Sequence, residues 1–237
     1  MTNEVATLQP NPFESYANAM STNRIVGELL KFAKGDYFAG QQAREIPLGT
    51  KFVAIMDQLM IGWVKWRDAA PVEQIMGLLA QGYKPKRRSE LDDNDPAQWE
   101  TDDETGDPQD PWQFTNYLIL ADPNTKELYT FAASSRGALG AVGELCKEHG
   151  KHMREKPDED PVIKLGVGSY LHRNKAYGRI KFPILEVVDW VDKAPFVQAL
   201  EGTGTTEPAE PEVVQHEREE MQAKARRRAG VKLEETF

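Results

Sequence analysis

The stretch from 112 to 190 constrains the fold most. It opens with "WQFTNYLILADPNTKELYTFAAS", two apolar, β-branched and aromatic runs around "DPNTKE". That pattern predicts a β-hairpin over 114–133. "SSRGALGAVGELCKEHGKHM" follows and predicts a helix over 135–153. Ser134 or Ser135 caps it, and Ala138, Leu139, Val142, Leu145, Cys146 and Met153 form its apolar face. Gly137, Gly140 and Gly143 weaken such a helix, so their spacing implies close approach to a sheet. A second hairpin is predicted over 161–190, turning at Arg173-Asn174-Lys175. Strand pair, helix, strand pair gives a mainly β chain with α (α+β).

Upstream, residues 1–24 read as a weakly structured arm. "NRIVGELLKFAKG" has Ile25, Leu29, Leu30 and Phe32 at near-helical spacing and predicts a short helix ending at Gly35. Strands are expected near 50–56 and 60–67, where β-branched and aromatic residues follow Pro47 and Gly49. "QIMGLLAQGY" fits either a strand or a helical turn. The domain plan is therefore an N-terminal arm and short helix (1–45), a folded domain (46–195) and a linker with an acidic tip (196–237). Small, acidic and proline-containing residues in "EGTGTTEPAEPEVVQ" mark that linker as disordered, and "HEREEMQAKARRRAGVKLEETF" has a short helical stretch around 216–229.

Charge is unevenly placed. The 237 residues carry a formal charge of −9, yet residues 90–110 hold ten acids and no Lys or Arg. Without them 28 acids face 29 bases, so the rest of the chain is near neutral. The run reads as a long solvated loop, a nucleic-acid mimic, or a gate over a basic groove. The single cysteine, Cys146, excludes an internal disulfide and suits a reducing compartment. No signal-peptide pattern opens the chain and no apolar run approaches about 18 residues, so a soluble, cytoplasmic protein is expected.

Against that acidity, "GSYLHRNKAYGRIKF" (168–182) holds His172, Arg173, Lys175, Arg179 and Lys181 with Tyr170, Tyr177 and Phe182, and no acid falls between 161 and 185. Alternate strand residues face opposite sides. Ile163, Leu165, Val167 and Leu171 with Ile180, Phe182 and Ile184 are expected to form a core face. Lys164, Tyr170, His172, Tyr177, Arg179 and Lys181 are expected opposite, with Gly166 and Gly168 leaving flat backbone for a base. Cations that follow phosphates beside rings that stack on bases suit single-stranded nucleic acid. Trp63, Lys65 and Arg67 share one side of their strand and form a second candidate face. Arg136, in "SSRGALG", is a candidate backbone contact at a helix start.

The order of elements resembles an OB-fold, a five-stranded Greek-key barrel with a helix before its last hairpin, here over about 48–192 and flanked by flexible terminal segments. The tail resembles that of single-stranded DNA-binding proteins of bacteria and phages, which join a barrel to a disordered linker and an acidic tip ending in or near Phe. The resemblance implies partner recruitment by Glu234, Glu235 and Phe237, competition between tip and DNA for the barrel, and replication and recombination proteins of phage or host as partners. The basic "KARRRAGVK" just upstream departs from that pattern. The whole chain also resembles proteins of phages and prophages through "DPWQFTNYL", "SSRG" and "YGRIKFP", which implies a context of phage DNA metabolism.

No catalytic constellation stands out. His149 and His152 lie at i, i+3 without matching ligands, the acids of 92–110 lack an evident scaffold for Mg²⁺, and no G-K-[ST] follows "SSRGALG". The expectation is a non-enzymatic, cofactor-free protein that binds single-stranded DNA without sequence preference. The competing expectations are an interaction or inhibitor protein acting on a host nucleic-acid enzyme through the acidic loop, and a metal-dependent nuclease.

Overall fold

In the computed structural model of the protein, residues 25–68, 70–101, 107–171, 173 and 178–202 are described. The strands are β1 (Glu28–Ala33), β2 (Asp36–Ala39), β3 (Arg44–Ile46), β4 (Lys51–Ala54), β5 (Met60–Arg67), β6 (Ala70–Leu78), β7 (Glu100–Thr101), β8 (Pro108–Gln109), β9 (Trp112–Ala121), β10 (Leu128–Ala133), β11 (Glu159–Leu171) and β12 (Arg179–Asp192). The helices are α1 (Arg136–His152) and α2 (Ala194–Gly202). The fold is mainly β with α.

Ten strands form one mixed sheet in the order β12-β11-β4-β9-β10-β1-β2-β3, with β5 paired to β9 and β6 to β5. Every pairing is antiparallel except β1 with β10. β11 returns beside β4 after the α1 crossover, giving the spatial order β11-β4-β9-β10. The sheet does not close through backbone pairing of its end strands. It curls instead. Tyr37 on β2, five places from β11 in the order, is fully buried, and its hydroxyl lies 2.9 Å from the Gly166 carbonyl oxygen and 3.3 Å from that of Ile184. α1 fills the remaining opening: Ala138, Val142 and Leu145 join Leu30, Tyr37, Phe131, Leu165 and Leu185 in the main core. Burying side chains of this size contributes about 1.5–3 kcal/mol each. Removing only the bridging hydroxyl, by Tyr37→Phe, is expected to cost about 1–2 kcal/mol in denaturant unfolding while the fold persists.

Both hairpins and α1 fall where the sequence places them, and Ser135 caps the helix by accepting from the Ala138 N–H. Of the four glycines of α1 only Gly137 meets the sheet; a Cβ there would lie 2.6 Å from Phe182 Cβ, whereas Gly140, Gly143 and Gly150 face open space. At its other end α1 stacks His152 on Trp190, with centroids 3.6 Å apart.

Two expectations are corrected. The helix expected over 25–35 is the β1–β2 hairpin, turning at Lys34 and Gly35, both with positive φ (54° and 107°). The left-handed pair suits the twist of a two-residue hairpin, and long-range pairing of β1 with β10 outweighs a weak local helical pattern. Residues 196–202, expected to open the linker, instead belong to α2, which covers the convex face of the sheet. Phe196 is 4% exposed and packs with Val53, Ile119, Ala121, Leu128 and Val162. The N-terminal arm and the tail lie outside the described residues.

Candidate nucleic-acid interface

β11 and β12 run together well past the rest of the sheet. β4 pairs only with Val162–Lys164, and beyond the exchange of backbone bonds between Leu165 and residues 49 and 50 the two strands continue as a ribbon to Leu171 and Arg179. Tyr170 is 49% and Leu171 71% exposed, so the described end of this arm is open to solvent on both faces, whereas its base is flanked by the β1–β2 turn and the start of α1.

The register reassigns the faces. Leu165 pairs with Leu185, Val167 with Pro183, Ser169 with Lys181 and Leu171 with Arg179. Directly paired residues share a face. Arg179 and Lys181 therefore continue the core face of Leu165 and Leu185, and Phe182 and Ile184 join Tyr170 and Lys164 opposite. The expected single cationic face is split in two. Alternation fixes the faces within each strand, whereas the turn length fixes the phase between strands.

On one side, Tyr170 lies 6.2 Å from Phe182 in a tilted ring pair. The first turn of α1 comes against Phe182 at Gly137, bringing exposed Arg136 to this side. Gly168 is not open backbone: a Cβ there would lie 2.3 Å from the Phe182 ring, and one on Gly166 would lie 3.3 Å from Ile184 Cβ. On the other side, Arg179 donates to Ser169 Oγ at 3.1 Å, and the Lys181 stem lies against Gly35. Arg173 is exposed near the tip. Among the described residues no acid pairs with Arg136, Arg173, Arg179 or Lys181. Lys164 departs from the expected set: Glu186, its cross-strand neighbour just past the acid-free stretch, binds it at 2.7 Å. His172, Lys175, Tyr177, Glu234, Glu235 and Phe237 lie outside the described residues.

Trp63 and Lys65 are not an open face either. Val64 faces the core, as alternation requires, and Trp63, Lys65 and Arg67 face a folded acidic flap. Asp92 and Asp93 reach Lys65 Nζ at 2.7 and 2.8 Å, and Asp93 reaches Arg67 at 3.4 Å. The Lys65 ammonium also lies 5.3 Å from the Trp112 ring centroid, and the residue is only 6% exposed. The hydrogen bonds Lys65 donates to Asp92 and then Asp93 raise its pKa, and the Lys65 and Trp112 donors hold Asp92 below the usual carboxylate range. Trp63 Nε1 donates to the Lys86 carbonyl at 2.8 Å, and its ring meets Phe114 edge-on.

Arg88 organises the described part of this flap. Its guanidinium grips Asp110 at 2.8 Å and donates to Asn94 Oδ1 and to the carbonyls of Asp92 and Asp93. Trp99 and Trp112 donate to the Asp93 carbonyl and the Asp92 carboxylate, and Leu91 is buried. Residues 90–101 and 107–110 are therefore anchored at these points, while most of them stay exposed, as a solvated loop would be. Sequence reading missed Arg88 as their counter-ion; the cluster "KPKRR" at the start of the acidic run was the available signal.

Among the described residues no three His, Cys, Asp or Glu side chains are placed to hold a metal ion, and no helix is long and apolar enough to cross a membrane. Comparison with family models, curated proteins and solved structures finds no match.

Proposed function

We propose that the protein is a non-enzymatic, sequence-tolerant single-stranded DNA-binding protein of phage DNA replication or recombination, in which the β11–β12 arm is the main binding element. The observation that carries this reading is the projecting arm itself: exposed Tyr170 beside Phe182, with Arg136, Arg173, Arg179 and Lys181 around them and no acid partner among the described residues. Cations on both faces let phosphates pass around the arm, and an exposed ring offers a stacking surface to unpaired bases.

An OB-like architecture is supported by the order β12-β11-β4-β9-β10, a Greek key with one further hairpin strand and a helix crossover before the last pair. The convex sheet face that binds oligonucleotides in OB-folds is apolar here and covered by α2. Contact then falls to the segments outside that face, among them the β11–β12 arm with Arg173, Arg179 and Lys181. The tail tip recruits replication or recombination partners in this reading, as its resemblance implies. The competing interaction-protein reading needs the acidic flap to present its charge outward, whereas Asp92, Asp93 and Asp110 are engaged by Lys65, Arg67 and Arg88.

The test is charge reversal on the arm. Arg179→Glu with Lys181→Glu is expected to weaken binding of a labelled single-stranded oligonucleotide roughly 100-fold, at about tenfold per charge, with thermal stability unchanged. Undiminished binding by a folded double variant would remove the arm from the interface.

A further inference from the structure

The loop leaving β6 carries a second cationic surface, "YKPKRR" (83–88). Its backbone is pinned at both ends. The Tyr83 ring packs on Gly77, where a Cβ would lie 2.4 Å from it, and the Tyr83 N–H donates to the Leu78 carbonyl. Trp63 Nε1 holds the Lys86 carbonyl, and the Arg87 N–H donates to Glu90 Oε2 at 2.8 Å. From this fixed loop Lys84, Lys86 and Arg87 stand exposed.

The neighbouring acids do not neutralise them. Glu90 is engaged by the Arg87 backbone, Asp92 and Asp93 by Lys65, and Asp110 by Arg88. Among the described residues the three cations have no ion-pair partner, although the most acidic run of the chain begins three residues later. Purely solvating charges beside so many carboxylates would be expected to pair with them. Trp63, half-buried at the foot of the loop, adds an aromatic edge.

We propose that Lys84, Lys86 and Arg87 form a second phosphate-binding rim, engaged by the same single strand that the arm holds; this rests on the function proposed above. The register puts the two elements at opposite ends of the sheet. Val53 pairs with both Ala121 and Val162; β9 runs from there back to Phe114 opposite Trp63, and β11 runs the other way to the arm tip. Along the strands, the path from Phe114 to Leu171 is about 50 Å at roughly 3.3 Å per residue. Six nucleotides, about 20 Å at the duplex rise and at most about twice that when extended, fall short of it. A strand of thirty spans it, and linkage through one strand raises affinity beyond either contact alone.

The test uses Lys84→Gln/Lys86→Gln/Arg87→Gln in the full chain, with Arg88 retained, and labelled oligothymidylates of 30 and 6 nucleotides. On the 30-mer the salt slope is expected to fall by about 2, since each lost phosphate contact contributes about 0.7; the 6-mer is weakened less. An unchanged 30-mer slope, with the arm variant still defective, overturns the rim and leaves the arm reading intact. Equal loss on both oligonucleotides overturns the two-ended path. Failure of the wild-type chain to bind either one overturns both readings. Thermal melting checks that the triple variant is folded.

Discussion

The Arg88→Ala variant is expected to lose its acidic flap. One guanidinium satisfies a carboxylate, a side-chain amide and two backbone carbonyls, so its removal leaves several acceptors without a donor at once. Each partly buried acceptor so abandoned costs about 1–3 kcal/mol. Asp110, Asp92 and Asp93 then repel one another with Lys65 and Arg67 as the remaining cations and Trp112 as the remaining neutral donor. The expected readout is local: rapid proteolysis between 88 and 111, and red-shifted emission from Trp99 and Trp112, with global unfolding changed far less. Arg88→Lys keeps the charge but not the fork that serves several acceptors, and is expected to recover only part of the protection. A flap as resistant in Arg88→Ala as in the wild type would contradict this account of its order.

The second large effect is in pH-dependent stability, through Asp160. This carboxyl is 1% exposed; one oxygen accepts from the Met56 N–H and the other has no partner. Burial pushes its pKa up to about 6, with nearby Asp57 adding to the rise and the Met56 N–H and Lys193 opposing it. Folding therefore favours the protonated form. The associated stability is fully present below the unfolded value near 4 and is lost as pH rises through about 6, a change of about 3 kcal/mol. Other groups act in the opposite sense: burial lowers the pKa of His149, and Glu159 is held low by Lys156 and His152, so their contributions are lost as pH falls. The Asp160→Asn variant isolates the one term. Its stability relative to wild type is expected to rise by about 2.5 kcal/mol between pH 4 and pH 8 in denaturant titrations. A pH-independent difference would show that Asp160 titrates as an ordinary carboxylate.

Local physics made much of this molecule legible. The hairpins over 112–133 and 159–192 carry alternating apolar residues, and α1 has Ser135 at its start and one apolar face. The β1–β2 hairpin was hidden because Ile25, Leu29, Leu30 and Phe32 mimic helical spacing. The alternation of Leu30 and Phe32 before Lys34-Gly35 was the better signal. The arm faces depended on the length of the turn between β11 and β12, which periodicity within one strand does not contain. The Lys164–Glu186 pair and the grip of Arg88 on Asp110 are set by tertiary pairing, so charge runs read along the chain overstated what is free. The acid-free run 161–185 did foreshadow that Arg173, Arg179 and Lys181 meet no opposing acid among the described residues.

The most direct measurement is fluorescence anisotropy of the wild-type chain with a labelled single-stranded oligonucleotide and with duplex of the same length, between about 50 and 200 mM salt. About four phosphate contacts on the arm predict a slope near −3 on the single strand, or about 60-fold weaker binding across that range, together with clear preference for the single strand. Absence of binding at low salt, or duplex binding as tight as single-strand binding, would contradict an arm that tracks phosphates and stacks unpaired bases.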